Sequence, residues 1–450
     1  MGLILGSGSV KPQYPYDQWY GVEGDYTSTD NLLKRVGNLD LHRALPIQNK
    51  IRRFIENADG SVNYYLHQND SRLSESGATA NLDTTDGNVM LEIPEYYVKV
   101  EFSGTKWLYA ISEYPLPGFK KAERMVISPW YATIDSETDT AVSGCFLKWD
   151  GDEIARTPEG IVMLTDNSAR YRGGYGSSDA NKDGTYNSQL GMGRTAISKA
   201  GTRQKCKNGT HLGAYRAYSK IAWLQRIEYA NLNCQATYTP TITEDGFHQG
   251  GLGVGCSVNS TEWNNWGGYR PFVPNGVTAT LGNNTGKVSY TVKNWEGSDK
   301  VIEVTSYRGF EVPYEYLYML ADDVLIWHKE DKSVAYLCQD PSKFTSHSDQ
   351  AITAPEGYKP VADLPRRDGY IITLNLTADG IDFPKTTGGN LGVKDYYYTP
   401  VDDQTPSYGW FGALLSASAT SGSYAGFGYR LTSNRSSVAL AHGGFRLCRY

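Results

Sequence analysis

SASATSGSYAGFGYRLTSNRSSVALAHGGFRLC, residues 416–448, nearly ends the chain. Small residues and glycines alternate there with Tyr, Arg, Asn, Ser and His. Tyr, Ser, Gly and Asn form the mixture that binding loops favour, because rigid amphipathic rings give contact area at little entropy cost while small polar groups adapt their hydrogen bonds. The stretch then closes on GGFRLC, which reads as buried framework. Display and core must therefore alternate within a few residues of each other.

Outward from this tail, 450 residues with 40% apolar and 20% charged content can bury one large core or several ordinary ones, so the chain is globular. A formal net charge of -6 and a pI near 5.7 disfavour a phosphate-backbone binder, which needs clustered Lys and Arg to displace counterions; nucleic acid is not an expected partner. The 34 Tyr, 48 Gly and 10 Trp against 6 Met suit loop-rich β structure better than helical bundles. The opening MGLILGSGS lacks the length and the basic flank of a secretory signal, and no later apolar run reaches spanning length, so no membrane insertion is expected.

Along the chain, residues 1–87 are turn-rich, with a helix expected over residues 48–55, and read as a small N-terminal attachment or oligomerisation module. From Asn88 the runs VMLEIPEYYVKVEF, KWLYAISEY and RMVISPWYATID are β-branched and aromatic, separated by SG and PG turn signals, which predicts successive antiparallel strands. One segment breaks that pattern. In residues 217–238, Trp223, Leu224, Ile227, Ala230 and Cys234 recur at helical spacing with Gln225, Arg226 and Glu228 off the stripe, which predicts one helix packed on a sheet. Loops dominate residues 234–286, and further strands follow in GKVSYTVKNW, KVIEVTSYRGFEV and YIITLNL, with a hairpin turning at residues 330–332.

Catalytic and cofactor signals are weak. The seven histidines show no HxH or HExxH spacing, and no GxSxG elbow or Walker lysine occurs. HQGGLGVGC does not run from a strand into a helix, so it reads as a tight turn rather than a dinucleotide cradle. Asp322-Asp323, Asp402-Asp403 and WDGDE (residues 149–153) read as solvated loop charge. The six cysteines lack any CxxC pair and are too sparse for a disulfide scaffold; most read as buried thiols, although an even count is compatible with an oxidised pair. No metal, no cofactor and no enzymatic step are expected.

The tail resembles the variable region of C-type-lectin-fold proteins diversified by diversity-generating retroelements. GxxAGF at residues 422–427, a polar loop, and GFRLC at residues 444–448 match in order. Residues 88–128 are similar to the segment that opens this domain in phage tail receptor-binding proteins, and YRGFEVPYEYLYMLADDV stands where the family has a Trp-centred strand, here replaced by YEYLYML. Formylglycine-generating enzymes share the fold and a GFR ending, but their catalysis needs two nearby cysteines, and Cys448 stands alone in the tail.

The resemblance implies an α+β C-type lectin fold over residues 88–450, with a variable region at about residues 405–446. Ligand-binding positions then map to Tyr408, Trp410, Ser418, Thr420, Ser421, Tyr424, Tyr429, Arg430, Ser433, Asn434, Val438, Leu440 and His442. Gly422, Ala425, Gly426, Phe427, Gly444, Phe445 and Arg446 would be framework, with Arg446 a forked donor to loop carbonyls. The implied function is receptor binding at a phage tail-fibre tip, in the virion, to a bacterial surface protein or glycan, by a homotrimer or other homo-oligomer. The alternative is a diversified ligand-binding protein displayed on a bacterial cell surface.

Overall fold

The strand Asn88–Ile93, from the first β-branched run, lies inside a seven-stranded sheet ordered His211–Leu212, Leu447–Arg449, Met125–Ile127, Asn88–Ile93, Arg52–Glu56, Val62–His67, Asp70–Ser74. Val89, Met90, Leu91 and Ile93 are all buried, as in a strand covered on both faces. The end of the chain is thus an interior strand: Cys448 stands opposite Ile127 on one side and His211 on the other. This computed structural model describes residues 17–28, 30–157, 160–161, 170–171, 173–174, 191–265, 268–292, 299–345, 351–389 and 392–450.

A five-stranded sheet is ordered Lys34–Gly37, Tyr20–Asp25, Lys106–Ser112, Tyr96–Ser103, Lys120–Ala122. The largest sheet runs Tyr358–Leu364, Ser333–Cys338, Tyr318–His328, Gly409–Leu415, Arg430–Leu431, Tyr396–Tyr398, Gly369–Leu376, Asp382–Gly388, with Gly443–Gly444 added parallel to Tyr318–Met319. Its two outer arms are tied together where the Asn375 amide donates to the Asp363 carbonyl at 2.8 Å. The architecture is mostly antiparallel sheet with few helices, as the strand runs predict. The expected hairpin is present, closed by Lys329 N–H donating to the Lys332 carbonyl at 2.7 Å.

Residues 48–55 do not form the expected helix. A single 3-10 turn, Gln48–Lys50, leads into the strand Arg52–Glu56, which pairs with Asn88–Ile93 over its whole length; sheet pairing overrides local preference. The helix in this region is Leu39–Ala44, capped by the Asn38 side chain accepting from Asp40 N–H. The boundary expected at residue 87 falls inside shared sheets, since Tyr20–Asp25 pairs with Lys106–Ser112 through six residues and Arg52–Glu56 with Asn88–Ile93.

The predicted sheet-packed helix is Tyr215–Tyr229, ended by Ala230 in the left-handed conformation (φ 49), so Cys234 lies beyond it. Its environment differs from the expected one-sided stripe. Every residue but Arg216 is buried, including Gln225, Arg226 and Glu228, because sheets and loops close on it from all sides. Trp223 stacks on Tyr109 with centroids 4.1 Å apart, and Tyr215 stacks on Phe383 at 4.7 Å. The polar side chains are matched by partners distant in sequence: Glu228 accepts from Arg308 Nε and Nη2 at 2.6 and 2.8 Å, and Arg226 meets Asp382 at 3.3 Å.

Asp322 and Asp323 are likewise corrected from solvated loop charge to buried groups. They occupy the irregularity between Leu320 and Leu325 where Tyr318–His328 slips against Gly409–Leu415. Asp323 accepts the N–H groups of Tyr215 and Arg216 at 2.5 and 3.1 Å, capping the buried helix where its free donors and dipole favour an anion. Asp322 is held by Arg203 at 2.8 Å and faces Lys199 at 3.8 Å. Asp402 and Asp403 are exposed, as read. In HQGGLGVGC, Gly250 and Gly253 have positive φ, and Gly250 and Gly251 bridge to Tyr238. No helix among the described residues is long and apolar enough to cross a membrane.

Candidate ligand-binding surface

The tail leaves the strand Gly409–Leu415, loops out, returns as Arg430–Leu431 beside Leu414 and Tyr397, loops out again, and re-enters as Gly443–Gly444. Buried anchors separate the two loops. Phe427 packs against the rings of Tyr314 at 5.4 Å and Tyr218 at 5.6 Å. Arg446 donates to the carbonyls of Ser128 (3.2 Å), Glu311 (2.7 Å) and Val312 (3.1 Å), the forked role expected of it, with its guanidinium over Phe310 at 4.2 Å.

Asp395 fixes the first loop from below. Its carboxylate accepts Gly428 N–H at 2.6 Å, and a Cβ on Gly426 (φ 155) would fall 1.8 Å from its Oδ1, so only glycine lets the chain pass. Burial pushes the Asp395 carboxyl up to about 7, against the opposing pull of Arg226 and the Gly428 hydrogen bond. A carboxyl raised above its unfolded value stabilises the fold fully only below about pH 4, and that contribution is lost as pH rises to 7. Asp395→Asn, which carries no charge to bury, is therefore expected to gain about 2–3 kcal/mol on the parent between about pH 5 and pH 7.5. Denaturant unfolding across that range checks it; a constant difference would refute it.

Of the positions read as ligand-binding, Tyr408 and Tyr424 are exposed, at 40% and 38%. Thr420, Ser421, Ser433, Asn434, Val438, Leu440 and His442 are half-buried. Val438, Leu440 and Asn434 lean over a crevice shared with Ile197 and Leu414. Four others are not displayed. Trp410 is fully buried, stacked on Trp327 at 4.8 Å with its indole N–H donating to the Ala351 carbonyl. Ser418 is buried with its hydroxyl 3.0 Å from Thr420 Oγ1, and Tyr429 lies under Tyr318, hydroxyl to hydroxyl at 3.3 Å. Arg430, 2% exposed, donates to Tyr215 Oη at 2.9 Å and to the carbonyls of Phe427 and Tyr429 at 2.7 and 2.9 Å. Strand pairing turns it inward, where it serves as framework.

The structure adds rings that lie outside the tail. Tyr424 meets Tyr396 at 4.5 Å and Tyr370 at 5.5 Å, and Tyr396 meets Tyr398 at 4.6 Å. Tyr398 continues to Tyr429 at 6.0 Å, Tyr429 to Tyr318 at 5.9 Å, and Tyr318 to His442 at 5.2 Å. His442 then meets Tyr269 at 5.7 Å. This aromatic ridge crosses both tail loops. No protein-family model matches the chain, and no curated protein matches it.

One sequence signal for the ridge was present in YYY, residues 396–398: in a strand the first and third share a face, and here they are half-exposed while Tyr397 is buried. Tyr370, Tyr318 and Tyr269 carried none. Burial, followed by the Asp368 carboxylate, raises the Tyr396 phenol, and burial lowers His442, so both are neutral near pH 7. Charge comes from the rim, where Asp368 N–H donates to Asp402 Oδ2 at 2.8 Å. The arrangement can stack on apolar faces and exchange hydrogen bonds through phenols and the hydroxyls of Thr420 and Ser421. All six cysteines are free thiols, and burial pushes Cys448 up to about 12, which leaves it a neutral packing group.

Proposed function

We propose that this protein is a receptor-binding protein of the C-type lectin fold, carried at a phage tail-fibre tip, whose tail loops are diversified by a retroelement and bind a bacterial surface protein or glycan. The observation that carries the reading is the alternation within residues 416–448: buried anchors Phe427, Arg430, Phe445 and Arg446 interleave with the exposed Tyr424 and the half-exposed Thr420, Ser421, Ser433, Asn434 and His442. Such a scaffold tolerates replacement of the outer set because the inner set holds the backbone. The diversified set in this proposal is Tyr408, Thr420, Ser421, Tyr424, Ser433, Asn434, Val438, Leu440 and His442. Assembly as a homotrimer or other homo-oligomer would multiply weak individual contacts into avidity.

Sequencing the 3′ end of the gene from many individuals of its source population tests the proposal. Substitutions are expected at the outer set, beside a near-copy template and a reverse-transcriptase gene, and absent from Trp410, Tyr429 and Arg430. An invariant tail without a template would end the retroelement reading. Binding supplies a second check: Tyr424→Ala is expected to weaken attachment to susceptible cells about tenfold or more, about 1.4 kcal/mol, with an unchanged unfolding midpoint. Attachment that survives both Tyr424→Ala and Tyr396→Ala would place the ligand elsewhere.

A further inference from the structure

A second concavity lies far along the sequence from the tail, on the outer hairpin of the seven-stranded sheet. The strands Val62–His67 and Asp70–Ser74 and the turn after them border an open groove of about 760 Å³. The edge strand does not offer its backbone to a peptide there: Ser74 N–H donates to the Ala78 carbonyl at 2.7 Å, and Leu73 bridges to Thr79, so the chain caps its own edge. What faces the groove is side-chain chemistry.

That chemistry is amphipathic and carries no cation. The lining includes Tyr64 and Tyr65, the hydroxyls of Ser76 and Thr79, the Asn63 amide and the Asp86 carboxylate, with no Lys, Arg or His. The Arg52 guanidinium covers the Tyr65 ring at 3.3 Å and is paired with two carboxylates, Glu92 at 3.8 Å and Glu75 at 4.0 Å. With Arg52 paired in this way and Asp86 on the lining, phosphates, acidic sugars and nucleic acid are disfavoured. A ligand complementary to it presents an apolar C–H face to the Tyr64 ring and several hydroxyls to carboxylate and hydroxyl groups.

The groove is also held in one shape. The Tyr64 hydroxyl donates to Asp86 Oδ2 at 2.8 Å and accepts from Asn81 N–H at 3.2 Å. The Asn81 amide donates to the same Asp86 oxygen at 3.1 Å, and Asn63 donates to the Asp86 carbonyl at 3.1 Å. The Tyr65 hydroxyl is tied to Glu92 Oε2 at 3.1 Å. Ring positions fixed before binding leave less conformational entropy to lose on association.

We infer that this groove is a second binding site, for a neutral oligosaccharide, independent of the tail surface and of the proposal made for it. Asp86 Oδ1 and the hydroxyls of Ser76 and Thr79 address vicinal hydroxyls, and the Tyr64 ring takes the C–H face of a pyranose. The full-length chain is tested on an array of neutral, sialylated and sulfated oligosaccharides, and the strongest neutral hit is titrated by calorimetry. Neutral oligosaccharides are expected to be retained, with affinity falling about tenfold in Thr79→Arg, which fills the groove mouth from an exposed turn. The unfolding midpoint of that variant should match the parent, so lost binding cannot be ascribed to lost folding. Tyr64→Phe, which keeps the ring and breaks its hydroxyl tether, should weaken binding less. Retention of charged glycans alone, retention of none, or a neutral hit that survives Thr79→Arg would each overturn the assignment. A hit that survives Thr79→Arg and is lost in Tyr424→Ala would belong to the tail and overturn it too.

Discussion

Arg430→Ala is expected to destabilise the fold by about 3–5 kcal/mol, the usual loss when one partner is removed from a buried ionic network. The guanidinium serves four groups at once: Tyr215 Oη, the Phe427 and Tyr429 carbonyls, and Asp382, whose Oδ2 lies 3.9 Å away. Truncation leaves two buried carbonyls short of a donor and Asp382 facing Arg226 and Ser219 alone. Burial works against the Asp382 charge, yet Arg226 and Arg430 hold its carboxyl below the usual value. A lowered carboxyl contributes stability above about pH 4 and loses it as pH falls, so the penalty of Arg430→Ala should be largest near neutral pH and shrink below about pH 4. Arg430→Lys keeps the charge without the fork and should cost about 1–3 kcal/mol. Denaturant midpoints with equal slopes measure all three. If alanine is tolerated within about 0.5 kcal/mol and attachment to cells changes instead, Arg430 belongs to the displayed set after all.

A loss of similar size, about 3–5 kcal/mol, is expected for Glu228→Ala. Glu228 is the helix residue that clamps the turn between the strands Lys300–Tyr307 and Phe310–Glu311, through Arg308 at 2.6 and 2.8 Å and the Tyr307 hydroxyl at 3.0 Å. Burial opposes the Arg308 charge and Glu228 overrides it, holding the guanidinium above its ordinary value. Alanine strands that cation in the interior. The double variant Glu228→Met, Arg308→Met should be more stable than Glu228→Ala alone, because no unpaired charge remains. A double variant as unstable as the sum of its parts would show that the pair is not coupled. Tyr307 and Phe427 rings lie 6.4 Å apart, so loosening this clamp should also slacken the tail anchor and lower attachment at temperatures where the chain remains folded.

Strand runs were legible because a strand declares itself locally. VMLEI and KWLYAIS carry enough apolar and β-branched residues to be strands in any sheet, and the Glu330–Lys332 turn follows from the two runs it joins. The misread segment at residues 48–55 shows the limit: Phe54 and Ile55 fit either element, and pairing with Met90 and Val89 decides for the strand. The candidate surface was half legible. Framework residues Phe427 and Arg446 were legible through the GxxAGF and GFRLC motifs that carry the resemblance, whereas Trp410, Tyr429 and Arg430 are types found equally in cores and on binding faces.

By itself, the sequence determined the β-rich class, the one long helix among the described residues, and a tail in which buried residues alternate with exposed ones, since these depend on residue type and on spacing within a few positions. Tertiary structure alone decided which polar groups are interior. Asp322, Asp323, Arg226, Glu228 and Arg430 are buried because their partners arrive from 80 to 215 residues away, and a charge leaves water only where such a partner waits. Tertiary structure also decided the tyrosine ridge, which gathers Tyr269, Tyr318, Tyr370 and Tyr396 beside the tail through sheet order, a property no local window of sequence contains.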